Sequence, residues 1–184
     1  MSQSDHSRRV VFAKPVLMVT LGGLVMGCTE NMNMQKPKVA ISEVQACSSL
    51  KSVLSQANTG FTGLRGSATT DYDHTRWDAQ PIIPGTQCDV IGWGGGRTNY
   101  ACAWNKGSEA SARSDYQGGL GIVQRCLGPE WTASHPAGQT GQATLFSKGS
   151  DPAKVEVRYY KERDPSSNWQ TSLTIGPAVT RDAR

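Results

Sequence analysis

Two strand-like segments flank a glycine-rich run in the middle of the chain, and this pattern restricts the fold more than any other. Segments 86–93 and 98–104 read TQCDVIGW and TNYACAW, and three consecutive glycines lie between them. β-Branched and aromatic residues around a glycine turn are typical of a β-hairpin. Cys88 and Cys102 lie at equal distances from Gly95. A turn centred on Gly95 therefore places the two cysteines opposite each other.

Two other stretches carry apolar residues at helical spacing. The first begins near Ile41, where Ser42 and Gln45 form a capping-box pattern, and Gly60 offers a stop signal. The second covers 108–127, where apolar residues recur every three or four positions. Glycines inside this second stretch weaken a helix by roughly 0.5 to 1 kcal/mol each relative to alanine. We therefore expect two helices, of which the second depends on tertiary packing or on close backbone approach.

Beyond the second predicted helix the apolar period becomes alternating. In 153–159 apolar residues alternate with charged residues such as Arg158, which is typical of a strand with one solvent-facing side. Segment 169–175 alternates in the same way and is the predicted hairpin partner. Segment 142–147 is another predicted strand, and 63–69 is a weaker one.

The order of these elements is helix, strands, helix, strands. Such runs predict an α+β domain in which two helices pack on one face of an antiparallel sheet; a closed barrel is the alternative. The chain of 184 residues has the length of one domain. We assign that domain to 40–178. The polar segment 28–39 suits a flexible tether, and 179–184 suits a frayed tail.

The first residues have the pattern of an export signal. Three basic residues within 1–14 precede a run without charge at 15–27, as in a signal peptide. An apolar run of about 13 residues rises only about 20 Å as a helix, which is short of the roughly 30 Å hydrocarbon core of a bilayer. We therefore predict that 1–27 is a signal peptide and not a spanning helix.

The end of this run reads LVMGC at 24–28, with Gly27 directly before Cys28. It resembles the lipobox of bacterial lipoproteins, in which a small residue precedes an invariant cysteine, although Met26 is unusual at its position. The resemblance implies diacylation of the Cys28 thiol, cleavage before this residue, and acylation of the new amino terminus, with palmitate among the acyl chains. Because Thr29 and not Asp follows, it also implies anchoring in the outer membrane, with the domain in the periplasm. The alternative is an ordinary secretory signal that ends near Cys28.

The cysteine count predicts a disulfide framework. The chain has five cysteines, and those other than Cys28 form an even set in a chain bound for an oxidising compartment. Four cysteines allow three pairings. The hairpin geometry favours Cys88 with Cys102. This choice leaves Cys47 with Cys126, one on each predicted helix, so we expect a disulfide-stabilised domain.

Charge and motifs argue against several classes of ligand. The formal net charge is +4, and no block of five or more basic residues occurs, so nucleic-acid binding has little support. The glycine run 92–96 is only superficially similar to a phosphate loop, because neither a GK[ST] sequence nor a helix start follows it. We expect no cofactor and no bound metal ion.

Two local features are candidates for function. Asp71, Asp73 and His74 form the tightest polar cluster, but no second ligand group lies at a recognisable spacing for a metal. We predict that this cluster is a solvated loop between the first strand and the hairpin. Trp93 and Arg97 flank the hairpin tip, and both residue types are enriched where proteins bind one another. We hypothesise that Trp93 and Arg97 contact a protein partner.

These features favour a lipid-anchored binding or structural module facing the periplasm. Within this class we expect either an immunity or inhibitor protein or an accessory subunit of an envelope complex. No GxSxG elbow or other catalytic motif occurs in the chain, so we predict that it is not an enzyme. The alternative is an envelope hydrolase acting on cell-wall or lipid material, with Asp71, Asp73 and His74 as its local constellation.

Overall fold

The first helix forms where the capping signal predicts it. α1 covers Glu43–Ser55, and the Ser42 side chain accepts a hydrogen bond from the backbone N–H of Gln45 at 3.2 Å. A short 3₁₀ turn at Ala57–Thr59 follows, and Gly60 then adopts a left-handed conformation with φ of 66°. The structure is a computed structural model, and the residues it describes are 41–71, 74–137, 140–163 and 168–177.

The second predicted helix is also confirmed. α2 covers Glu109–Cys126, and the Ser108 side chain accepts a hydrogen bond from the backbone N–H of Ser111 at 3.2 Å. One of its internal glycines has a packing reason. A Cβ atom on Gly119 would lie 2.7 Å from Cη2 of Trp104, so only glycine lets the helix backbone approach this ring.

The remaining regular elements of the described residues are strands. They are β1 (Ala68–Thr70), β2 (His74–Ala79), β3 (Gln87–Trp93), β4 (Arg97–Ala103), β5 (Thr132–Ser134), β6 (Gly141–Ser147), β7 (Ala153–Lys161) and β8 (Trp169–Pro177). The predicted hairpins at 86–104 and 153–175 correspond to the pairs β3–β4 and β7–β8.

All eight strands join one antiparallel sheet in the order β1-β2-β3-β4-β8-β7-β6-β5. Each half of the sheet is a run of four consecutive strands. The halves meet where β4 pairs with β8, with Tyr100 opposite Ile175. The order begins at β1 and ends at β5, so the sheet is open and the closed-barrel alternative is wrong. The α+β class with an antiparallel sheet is confirmed.

Both helices contribute to one apolar core against the same face of the sheet, which we call the covered face. We call the opposite face the open face. Tyr100 is 1% exposed on the covered face, and its hydroxyl donates to the carbonyl oxygen of Gln80. Burial raises the pKa of this hydroxyl above its ordinary value. Other core residues from the helices and strands are Leu50, Val53, Val90, Tyr116, Val123, Val155, Val157, Leu173 and Ile175.

Two disulfides lock the covered side, in the predicted pairing. Cys88 and Cys102 lie opposite each other in β3 and β4, 14 residues apart in sequence. Cys47 and Cys126 join α1 to α2 over a separation of 79 residues.

An ion pair links the same two helices as the longer disulfide. Nε of Arg125 lies 2.6 Å from Oε1 of Glu43. The hydrogen bond from this guanidinium holds the pKa of the Glu43 carboxyl below its ordinary value. The two helices are therefore joined by both a covalent and an electrostatic contact.

Two local predictions are wrong. The predicted solvated loop around His74 is instead a strand from that residue on, because β2 pairs with β3 along its whole length. The weak strand predicted at 63–69 is largely a 3₁₀ turn at Thr62–Leu64, and only its end belongs to β1. β2 pairs with β3 and β1 pairs with β2, so neighbouring strands and not a local apolar period decide where these two strands form.

Several predictions fall outside the described residues. They concern the signal peptide 1–27, the tether 28–39 with Cys28, the tail 179–184, and Asp73. Within the part of the chain that the structure does describe, neither helix has the length and apolar character needed to cross a bilayer.

Candidate functional site

Three side chains from separate strands form a row across one end of the open face. β2 pairs with β3 so that His74 lies opposite Trp93, and β3 pairs with β4 so that Trp93 lies opposite Arg97. Directly opposite residues in antiparallel strands share a face, with Cβ atoms about 4.5 to 5.5 Å apart. Val90 of β3 is buried on the covered face, and alternation puts Trp93 on the open face. We call His74, Trp93 and Arg97 the Trp93 row.

A hydrogen bond to a buried amide fixes the orientation of the Trp93 indole. Its Nε1 donates a hydrogen bond to Oδ1 of Asn99 at 3.0 Å. Nδ2 of Asn99 in turn donates to the carbonyl oxygen of Pro177 at 3.2 Å, and Asn99 is 2% exposed. Trp93 itself is half-buried. The ring is thus held in one orientation while part of its surface stays accessible, which lowers the entropy lost when a partner binds.

His74 links the acidic cluster to the tryptophan. Its ring centroid lies 5.7 Å from that of Trp93, with the ring planes tilted by 34°. Its Nε2 lies 3.3 Å from Oδ2 of Asp71. The side chain of Asp71 is 59% exposed and that of His74 is 20% exposed. Contacts with the carboxylate of Asp71 and with the indole of Trp93 therefore orient the His74 ring.

Arg97 differs from the other cation on this part of the open face. Nε of Arg76 lies 3.8 Å from Oδ2 of Asp89, whereas exposed Arg97 has no ion pair with any residue that the structure describes. The adjacent hairpin tip, Gly94–Gly96, is bare: a Cβ on any of these glycines would have nothing within 4 Å. The end of the Trp93 row therefore has a guanidinium that none of the described carboxylates pairs with, beside a backbone with free space around it.

The predicted site residues have different outcomes. Trp93 and Arg97 lie side by side in one row, as their positions around the hairpin require. Asp71 and His74 are in contact with each other, but β2 carries His74 next to Trp93, so the two features that the sequence presents separately form one site. Among the described residues no group of three or more His, Cys, Asp and Glu side chains could hold a metal ion.

Sequence reasoning missed two buried polar residues on the open face. Asn99 supports Trp93, and strand alternation from Arg97 was the signal that could have assigned it to the same face. Arg158 was assigned to a solvent-facing side, which is wrong, because it is 4% exposed. Its guanidinium lies 4.2 Å from the ring centroid of Tyr160, and its Nε donates to Oγ of Ser172 at 3.2 Å. The burial of Arg158 therefore depends on Tyr160 of its own strand and on Ser172 of the neighbouring strand.

A second histidine is exposed, and its ring contacts a buried threonine of the covered face. Nδ1 of His135 lies 3.2 Å from Oγ1 of Thr144, and the same Oγ1 lies 2.7 Å from the hydroxyl of Tyr116. Thr144 is fully buried. This chain of hydrogen bonds ties α2 to β6, and it satisfies polar groups that would otherwise be costly to bury.

Comparison with known proteins yields no relative. No protein-family model, no curated protein and no solved structure matches the chain. A function is therefore inferred from the chemistry of the Trp93 row.

Proposed function

We propose that this chain is a lipid-anchored binding or structural module, held at the outer membrane with its domain in the periplasm. In this role it acts as an immunity or inhibitor protein or as an accessory subunit of an envelope complex. The lipobox-like end of the first 28 residues supports the anchor at Cys28. The two disulfides support an oxidising compartment.

The observation that carries the binding role is the Trp93 row. The row brings together a half-buried tryptophan, fixed by Asn99, and an adjacent exposed arginine, two side-chain types that are enriched at the centres of protein interfaces. Neither residue is required by the core, because both lie on the open face. A pre-oriented ring and an accessible cation are useful to a binding module, whereas a purely structural surface needs neither.

A capture experiment tests the binding role. Crosslinked envelope extracts are applied to the immobilised full chain in detergent, and the retained proteins are identified by mass spectrometry. We expect one stoichiometric partner that is lost with Trp93→Ala and retained with Lys51→Ala, since Lys51 is an exposed cation on α1, away from the open face. A partner retained equally by both variants would overturn the assignment of binding to the Trp93 row.

The anchor is tested separately. In cells that process lipoproteins, the Cys28→Ser variant should move from the membrane pellet to the soluble periplasmic fraction, because the acyl chains lose their attachment point. A Thr29→Ser variant, which changes the neighbouring residue and keeps both the anchoring cysteine and the disulfides, is the control and should remain in the pellet. Continued sedimentation of Cys28→Ser with membranes would refute lipid anchoring.

The contact between Asp71 and His74 supports a second candidate, the envelope hydrolase. A carboxylate 3.3 Å from an imidazole can orient the ring for acid–base chemistry. If cell-wall or lipid hydrolysis is detected with the full chain, Asp71→Ala and His74→Ala should each abolish it. Folded variants that leave such activity or the cellular phenotype unchanged would remove this candidate.

A further inference from the structure

We propose that the Trp93 row docks a polypeptide segment that presents a carboxylate and an apolar side chain on the same side. This inference rests on the binding role proposed above and names the chemistry of the partner. The carboxylate pairs with Arg97 while the apolar side chain packs on the exposed part of the Trp93 ring.

Arg97 selects for a carboxylate because no anionic side chain among the described residues pairs with it. Arg76 already lies near Asp89, and His74 already contacts Asp71. Within the described residues Arg97 has no such partner and is exposed. A planar guanidinium donates two parallel hydrogen bonds to the oxygens of a carboxylate, which gives orientation as well as attraction.

Trp93 selects for an apolar neighbour at a defined distance. Arg97 lies directly opposite Trp93, so their Cβ atoms are about 5 Å apart. In an extended segment, side chains two positions apart lie on one side about 7 Å from each other, and in a helix side chains three or four positions apart lie about 5 to 6 Å from each other. Either spacing lets one segment reach both residues. The bare tip at Gly94–Gly96 gives its backbone room to approach.

The surrounding charges argue for a single carboxylate and against a polyanion. Asp78 and Asp89 lie opposite each other on the open face, two residues beyond Arg76 and Ile91, and Asp71 is exposed at the other end of β2. A membrane of anionic lipids or a nucleic acid laid across this region would meet these three carboxylates, which outnumber the guanidiniums of Arg76 and Arg97. A polypeptide with one acidic side chain meets Arg97 and avoids the three carboxylates.

A random dodecapeptide library displayed on phage tests this inference, with the full chain in detergent micelles as bait. We expect the enriched peptides to carry Asp or Glu two to four positions from Leu, Ile, Phe or Met. An enriched peptide should bind about tenfold more weakly to Arg97→Glu, since attraction is replaced by repulsion. Selection on Arg97→Glu should then exchange the acidic residue for Lys or Arg.

Matched variants separate charge from fold. Lys51→Glu makes the same charge change on α1, away from the open face, and should leave the acidic preference unchanged. Trp93→Ala should abolish the enrichment. If that variant does not fold, as judged by circular dichroism, Trp93→Phe keeps an aromatic ring without the donor to Asn99. It should retain the acidic preference with weaker affinity.

Four outcomes would overturn the inference. They are enrichment of peptides without an acidic residue, binding that Arg97→Glu does not weaken, Arg97-dependent binding to phosphatidylglycerol vesicles without any peptide enrichment, and an Arg97-dependent dimer in analytical ultracentrifugation. Suppose that the enriched peptides carry no acidic residue but that capture of the envelope partner is still lost with Trp93→Ala. In that case the preference for a carboxylate is refuted, and the proposed binding role is not. If capture and peptide enrichment are both independent of Trp93, the proposed binding role fails as well.

Discussion

The two faces of the sheet are built from different chemistry. On the covered face, Val155, Val157, Leu173 and Ile175 are fully buried beneath the helices. Burial of each such side chain stabilises the folded state by about 1.5 to 3 kcal/mol. On the open face the same strands carry small, polar and charged residues, and the Trp93 row lies there. The core and the proposed binding surface therefore lie on opposite sides of one sheet, so residues of the Trp93 row can be changed without loss of the core.

The difference is not absolute, because two polar residues are buried on the open face. Asn99 is 2% exposed and Arg158 is 4% exposed. Asn99 accepts a hydrogen bond from Trp93 and donates one to Pro177. Arg158 donates to Ser172, and its Nε lies 3.5 Å from Oε1 of Glu156. Burial of a polar group is tolerated when its hydrogen bonds are made. We expect these hydrogen bonds on the open face to contribute less to the free energy of unfolding than the apolar contacts of the covered face.

The largest effect is expected from the disulfide that joins the helices. Replacing Cys47 and Cys126 together with alanine should lower the free energy of unfolding by about 4 to 5 kcal/mol, because the loop that it closes spans 79 residues. The matched change at Cys88 and Cys102 opens a loop of 14 residues and should cost about 3 kcal/mol. Guanidinium denaturation of both variants measures this order. A larger loss for the hairpin pair would contradict it.

A smaller but sharper contrast is available within one strand. Leu173 and Thr174 are neighbours in β8, but Leu173 is fully buried on the covered face and Thr174 is half-buried on the open face. Leu173→Ala should lower the free energy of unfolding by about 2 to 5 kcal/mol. Thr174→Ala should change it by less than about 0.5 kcal/mol. Similar losses from both variants, measured by urea denaturation, would show that the open face is also covered in solution.

The smallest of the three effects is expected from loss of the hydrogen bond between Trp93 and Asn99. Asn99→Ala leaves the indole Nε1 without its acceptor and should lower the free energy of unfolding by about 1 to 2 kcal/mol. Arg97→Ala, two residues away in β4 and exposed, should change it by less than about 0.5 kcal/mol. The Nε1–H resonance of Trp93 should shift in Asn99→Ala and stay in place in Arg97→Ala. An unmoved resonance in Asn99→Ala would count against the hydrogen bond as the support of the ring.

Elements with strong local signals could be predicted from the sequence. The N-cap residues Ser42 and Ser108 mark both helix starts. The glycine turn fixes the β3–β4 register, and with it the pairing of Cys88 with Cys102. Hydrogen bonds at a helix cap or a tight turn form between residues close in sequence, so the local residue types determine them. For the same reason Trp93 and Arg97 could be chosen as neighbours without any coordinates.

Contacts between distant segments were decided by the tertiary structure. The pairing of β4 with β8, the contact of His74 with Trp93 and the burial of Arg158 have no local signal. The segment that begins at His74 is polar and has no apolar period, yet the edge of β3 supplies the partners that make it a strand. By itself, the sequence determined the helices, the central hairpin and its disulfide. The order of the strands and the burial of polar residues depend on contacts between segments that are distant in sequence. These contacts stabilise the assembled sheet, so no single segment carries a signal for them.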